Sequence, residues 1–243
     1  MTNKELQIAF EIEAKGSYIN IGDKPLSKEI EFWLNQGLEK FVKTRYSGVN
    51  FKRESFEQSE KRTDDLRTLV VTVKLYAEDN AFPDNDGTYY IELPENYMFL
   101  LGDKTGLLPN SDEAYECWKT DSEGRYIELF TDPIQATIDN IDFKLENSLS
   151  DHRYRKGKAK PLRLIEGDKI FYYTDNNYLV NSVIVKYLKF PQHLDIHTNP
   201  NEQYTDMPEH THQEIVKLAV QAYLENKTNP RYQSFNNEVV TME

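Results

Sequence analysis

Apolar residues fall into a helical stripe soon after residue 27. Ile30, Trp33, Leu34, Leu38, Phe41 and Val42 recur at i, i+3, i+4, i+8, i+11 and i+12, which places them along one side of a helix. The start is marked by Lys24-Pro25-Leu26, with Ser27 as candidate N-cap and Glu29 and Glu31 placing negative charge in the first turn. The stripe ends near Tyr46-Ser47, where Gly48 fits a left-handed cap. Upstream, Phe10 and Ile12 belong to a run that stops at Gly16 and is too short to assign to helix or strand. Residues 52–67 have helical composition, but Phe56 and Leu66 are their strong apolar anchors among many charges. Such a helix faces solvent or another subunit.

The period then changes to two. Over residues 68–76, Leu69, Val71, Val73 and Leu75 share one face of a strand, and Val70, Thr72, Lys74 and Tyr76 share the other. Residues 83–87 read as a turn, and 88–93 as the return strand of a long hairpin. Residues 94–101 begin with Pro and stop before Gly102, which predicts a helical turn or two followed by a loop over 102–110. Residues 126–131 read as a strand. Asp132-Pro133 opens a predicted helix carrying Ile134, Ile138, Ile141 and Leu145.

Three further strands are predicted over 162–165, 169–174 and 178–190, with turns at Glu166-Gly167-Asp168 and Asp175-Asn176-Asn177. After a polar loop over 192–207, Pro208-Glu209 begins a last helix with Ile215, Val216, Leu218, Ala219, Ala222, Tyr223 and Leu224 on its buried side. Residues 226–243 have no period and read as an extended tail, with Tyr232 and Phe235 as isolated aromatic anchors for a neighbouring subunit. The pattern predicts an α+β fold of antiparallel strands and hairpins, with amphipathic helices near both ends and no parallel crossovers. It predicts one domain over 1–225 followed by the tail.

Composition narrows the function. The 243 residues include 29 basic and 41 acidic side chains, a net charge of −12, which disfavours a general nucleic-acid coat or a binder of anionic membranes. One Cys cannot form an internal disulfide and suits a reducing compartment. No apolar run reaches the roughly 18 residues of a membrane span, and residues 1–10 lack a signal-peptide core, so a soluble, intracellularly made protein is expected. The 16 Tyr and 12 Phe supply side chains that concentrate in β-rich cores and in protein interfaces.

No spacing specifies a catalytic site. His193 and His197, with His210 and His212 downstream, would ligate metal only if their loops converged, and no H-E-x-x-H pattern supports it. Asp84-Asn85-Asp86-Gly87 lacks the first and twelfth acids of a calcium loop, and residues 102–106 fail the spacing of a phosphate loop. Cys117 sits in no nucleophile motif. No enzymatic activity and no cofactor are expected. The sharpest local feature is the cationic run Arg153, Arg155, Lys156, Lys158, Lys160 and Arg163 in an otherwise acidic chain. Opposite local charges suit head-to-tail contact between copies; the alternatives are a DNA-facing loop and a solvated one.

Several phrases, in order, carry a resemblance. Residues 32–36 (FWLNQ), 40–46 (KFVKTRY) and 56–70, then 90–97, 185–191 and 212–220, resemble the head-to-tail connector ring proteins of crAss-like tailed bacteriophages, and the likeness spans nearly the whole chain. The resemblance implies a structural virion protein that forms a ring of twelve copies below the portal. Such a ring would extend the DNA channel, seat the next tail protein, and let genomic DNA pass without specific binding. Charge and pattern, rather than the resemblance, make the cationic run a candidate for a subunit interface or the DNA channel and make Tyr232 and Phe235 candidate interface anchors. The competing expectation is a DNA-contacting or metal-binding protein outside the virion.

Overall fold

The computed structural model describes residues 1–21, 25–47, 60–79, 87–156, 158–227 and 232–240. In chain order the elements are helices α1 (Asn3–Ile21), α2 (Ser27–Ser47) and α3 (Glu60–Leu66), then strands β1 (Val70–Tyr76), β2 (Glu78–Asp79), β3 (Thr88–Glu92) and β4 (Tyr97–Pro109). Helix α4 (Asp112–Cys117), strands β5 (Leu129–Thr131) and β6 (Ile134–Gln135), and helix α5 (Ile141–Glu146) follow. Strands β7 (Leu162–Glu166), β8 (Lys169–Tyr173) and β9 (Tyr178–Lys189) precede helices α6 (His212–Asn226) and α7 (Tyr232–Val240). This is the expected α+β class with helices near both ends.

The chain divides into two compact units, Met1–Val70 with Phe190–Glu243, and Val71–Lys189. One domain over 1–225 was the expectation from sequence. The division arises because helices from the two ends of the chain bury their stripes in one another, while the strands between them close a core of their own.

In the helical unit, Leu6, Phe10 and Ala14 of α1 lie one turn apart and are fully buried, as are Ile30, Leu34, Leu38, Phe41 and Val42 of α2. Their partners on α6 are Ile215, Val216, Ala219, Val220, Tyr223 and Leu224. Phe10 and Trp33 both meet the Tyr223 ring edge-on, at 5.7 and 6.3 Å between centroids. Helix α2 begins where predicted, but its cap lies one residue earlier than Ser27: Leu26 O accepts from Ile30 N at 3.0 Å and Leu26 N donates to Glu29 Oε2 at 3.1 Å. Residues 48–59, including the predicted cap Gly48 and the first part of the polar helix, lie outside the described residues; its second part is α3.

Over its described residues 232–240 the tail is not extended. Residues Tyr232–Val240 form a helix, and Phe235 is completely buried. Gln221 Nε2 donates to Asn236 Oδ1 at 2.6 Å, fastening α7 to α6. One buried aromatic and one partly buried amide pair make a docked helix where too few apolar positions existed to show a period.

In the strand unit two sheets form, ordered β1-β9-β4-β5 and β2-β3-β8-β7-β6. Residues 94–110 correct the sequence reading: the expected helical turn and loop are instead β4, paired antiparallel to β9 from Tyr97↔Lys189 to Pro109↔Tyr178. The β1–β3 hairpin also fails, since β3 pairs with β2 and β8 while β1 joins β9. Of the turn predicted at 83–87, residues 83–86 lie outside the described residues. Strands β7, β8 and β9 match the three predicted ones. Residues 134–135 are a short strand parallel to β7, so one parallel pair exists; the predicted helix is confined to α5. The core holds Ile91, Leu107, Ile170, Tyr172, Tyr178, Val180, Val183 and Val185.

Between the sheets, Asp103 of β4 is ion-paired to Arg163 of β7 and accepts from the Tyr172 hydroxyl at 2.7 Å. Asp103 and Tyr172 are buried. Burial, then the adjacent carboxylate, hold the Tyr172 hydroxyl far above its usual pKa, so it stays a donor.

Candidate functional site

The cationic run forms a hairpin-like loop after α5. Arg155 and Lys158 exchange backbone hydrogen bonds at 3.0 Å, and Lys156 has a left-handed φ of 43°. Its six cations have different roles. Arg153 donates from Nη2 to Leu145 O at 3.1 Å and from Nε to Asn147 O at 3.3 Å, so its charge sits on the carbonyl end of α5. Arg155 donates to Ser148 O at 3.2 Å yet remains exposed. Arg163 is consumed by Asp103 inside the fold, which removes it from the predicted interface. Lys156, Lys158 and Lys160 are exposed, leaving Arg155 and these three lysines as the cations available to a partner.

Below the loop, Tyr154 stacks on Trp118 at 6.2 Å, and Tyr154 N donates to Asp175 Oδ2 at 2.7 Å. The cationic loop and the acidic helix α4 thus share an aromatic base, adjacent within one subunit. Of the acids, Asp112 and Glu116 are exposed.

The chain from α4 to β5 carries the second feature. The Tyr115 and Tyr126 rings stack at 5.3 Å, and Trp118 Nε1 donates to Ile127 O at 2.8 Å. Tyr115, Tyr126, Ile127, Leu129 and Phe130 are all exposed, Ile127 at 49 % and Phe130 at 44 %. Leu129 and Phe130 lie on β5, an edge strand. Sequence reasoning found the strand but not its exposure, for which the Glu128 set among the apolar residues of 126–130 was the one signal.

Glu128 organises the adjoining sheet face. Its carboxylate accepts from Asn181 Nδ2, from Ser182 Oγ at 3.1 Å and from Lys74 Nζ at 3.1 Å. Burial raises its pKa, but these hydrogen bonds outweigh it and leave the group below the ordinary Glu value. Lys74 also lies over the Tyr76 and Phe130 rings, at 5.7 and 5.6 Å. The arrangement needs Gly106: a Cβ there would meet Ser182 Oγ at 2.6 Å. A cavity of about 180 Å³ lies beside it, lined by Cys117, Trp118, Lys119, Ile127, Glu128 and Leu129. Cys117 is an exposed free thiol.

The histidines are not brought together. His193 Nε2 lies 3.5 Å from Glu39, His210 Nε2 lies 2.9 Å from Asp65, and His212 is buried with Nε2 3.1 Å from Met207 O. Among the described residues, no group of three or more His, Cys, Asp or Glu is placed to hold a metal ion. No described helix is long and apolar enough to cross a membrane.

Two buried histidines carry a pH dependence. Burial, then Arg153, lower the pKa of His152; burial, then the terminal amine, lower that of His212. A lowered folded pKa means that the unfolded chain takes up the proton first. Stability is therefore full above about pH 6.5 and falls as pH drops below it. Thermal melts should show a lower midpoint at pH 5.5 than at pH 7.5, and His152→Gln combined with His212→Gln should flatten that difference. An unchanged slope in the double variant would contradict the assignment.

No protein-family model and no curated protein matches this sequence.

Proposed function

We propose that this chain is a structural ring subunit of the head-to-tail connector of a tailed bacteriophage, seated below the portal in twelve copies and lining the path of the DNA. The ordered phrases that resemble crAss-like connector proteins support the phage context. The observation that carries self-assembly is β5: an edge strand presenting Leu129 and Phe130 to solvent beside exposed Tyr115, Tyr126 and Ile127. An apolar sheet edge left open is a template for pairing with another chain, and an exposed apolar patch favours a partner.

Mass photometry at micromolar concentration, alone and with the portal protein of the same phage, tests the reading. A closed ring or a portal-bound ring is expected; a single particle under both conditions overturns it. Reversing two exposed cations, Arg155→Glu with Lys156→Glu, is expected to weaken assembly at least about tenfold, or about 1.4 kcal/mol, with the folded content unchanged by circular dichroism.

The exposed group Arg155, Lys156, Lys158 and Lys160 favours one second reading, contact with DNA phosphates. Duplex affinity falling steeply with salt, and lost in the same double reversal, would favour it over subunit contact.

A further inference from the structure

The sheet that ends in β5 has a second open side. Its order is β1-β9-β4-β5, so β1 is the other edge, and among the described residues no strand pairs with the outer side of either. Along β1, exposure alternates residue by residue: Val70, Thr72, Lys74 and Tyr76 face solvent, Tyr76 at 71 %. A strand with this pattern keeps one face on its core and leaves the other without cover. Both edges therefore expose large apolar side chains, Val70 and Tyr76 on one side and Leu129 and Phe130 on the other.

We infer that β1 of one copy adds to β5 of the next, continuing this sheet from subunit to subunit. The inference rests on the ring reading and names the contact that would build it. Symmetry selects the pairing. Joining β5 to β5 is isologous and stops at two copies, whereas joining opposite edges of one sheet is heterologous and repeats until the ring closes. Edge-to-edge addition uses main-chain hydrogen bonds, with side chains on the flanking faces setting the specificity. Lys74 of β1 assists: it donates to Glu128, the residue before β5, at 3.1 Å and lies over the Phe130 ring of β5 at 5.6 Å, so one sheet face is braced from edge to edge.

The test uses the full chain with Cys117→Ser, so that no native thiol competes. Two variants are made on it, Thr72→Cys on β1 and Phe130→Cys on β5. Each is assembled alone and as an equal mixture, then treated with a short bismaleimide that spans the roughly 7–8 Å between diagonal neighbours on adjacent strands. Crosslinked pairs in the mixture, and none in either variant alone, are expected.

Crosslinks in the Phe130→Cys variant alone would show β5 pairing with itself and overturn the inference. Rings that form by mass photometry but give no crosslink in the mixture overturn the inference and leave the ring reading standing. Failure of the Cys117→Ser parent to assemble, alone or with portal, overturns both. Thr131→Cys, which keeps Phe130, replaces Phe130→Cys if that variant does not assemble.

Discussion

Asp103→Ala is expected to destabilise the strand unit by about 3–5 kcal/mol, because it leaves the Arg163 guanidinium without its counter-charge inside the fold. The Asp103 side chain is 2 % exposed and that of Arg163 is 13 %, so the ion left behind regains only part of its hydration when its partner is removed. The change also strips the Tyr172 hydroxyl of its acceptor, and Tyr172 is fully buried. Tyr172→Phe removes one hydrogen bond and keeps the ion pair, so a smaller loss is expected, about 1–3 kcal/mol. Replacing both ions with apolar residues, Asp103→Leu with Arg163→Met, should recover much of the stability lost in Asp103→Ala. Denaturant titrations followed by circular dichroism measure all three. A loss below about 1 kcal/mol in Asp103→Ala would show that the pair does not brace the two sheets.

Gly37→Leu should strongly destabilise the helical unit, for a steric reason. Helices α2 and α6 cross at Gly37, where an added Cβ would lie 2.8 Å from Ala219 Cβ, 2.8 Å from Ala219 N and 2.9 Å from Ile215 O. Two of these three neighbours are backbone atoms, which cannot turn aside as a flexible side chain could. Any Cβ at residue 37 must therefore push the helices apart along the contact that buries Leu34, Leu38, Ile215 and Ala219.

Gly37→Ala is the informative control. In an exposed helix it would gain about 1 kcal/mol from helix propensity, so a lowered melting temperature here means that the close approach outweighs the propensity gain. Gly37→Leu should fall further, by the about 1–3 kcal/mol of overpacking or more. A melting temperature for Gly37→Ala raised above that of the parent by the full propensity gain would refute the crossing geometry.

Where period and punctuation agree, local pattern was enough. Helix α2, strands β7 to β9 and helix α6 were legible because each carries a full stripe or alternation bounded by Pro, Gly or Asn. Helix α1 was hidden because Ile8 and Ile12 alternate with Phe10 in strand-like fashion; only the fold shows that Leu6, Phe10 and Ala14 are the buried set and that Ile12 is 65 % exposed. Strand β4 was misread because a short apolar run suits a helix or a strand equally until a partner is known. Its partner, β9, lies some eighty residues further along the chain. The cationic run was visible as charge, but not its division into Arg153 and Arg163, used within the fold, and the four cations left at the surface.

By itself the sequence determined the class of the protein: amphipathic helices at both ends, antiparallel strands between them, and an acidic chain with one basic loop. Only the tertiary structure decided that the C-terminal segment docks as a helix on Phe235, that two units form, and that the open sheet edges are β1 and β5. The physical reason is range. Propensity and periodicity act over a few residues, whereas the choice of strand partner, the burial of an ion pair and the exposure of an edge depend on residues far apart in the chain.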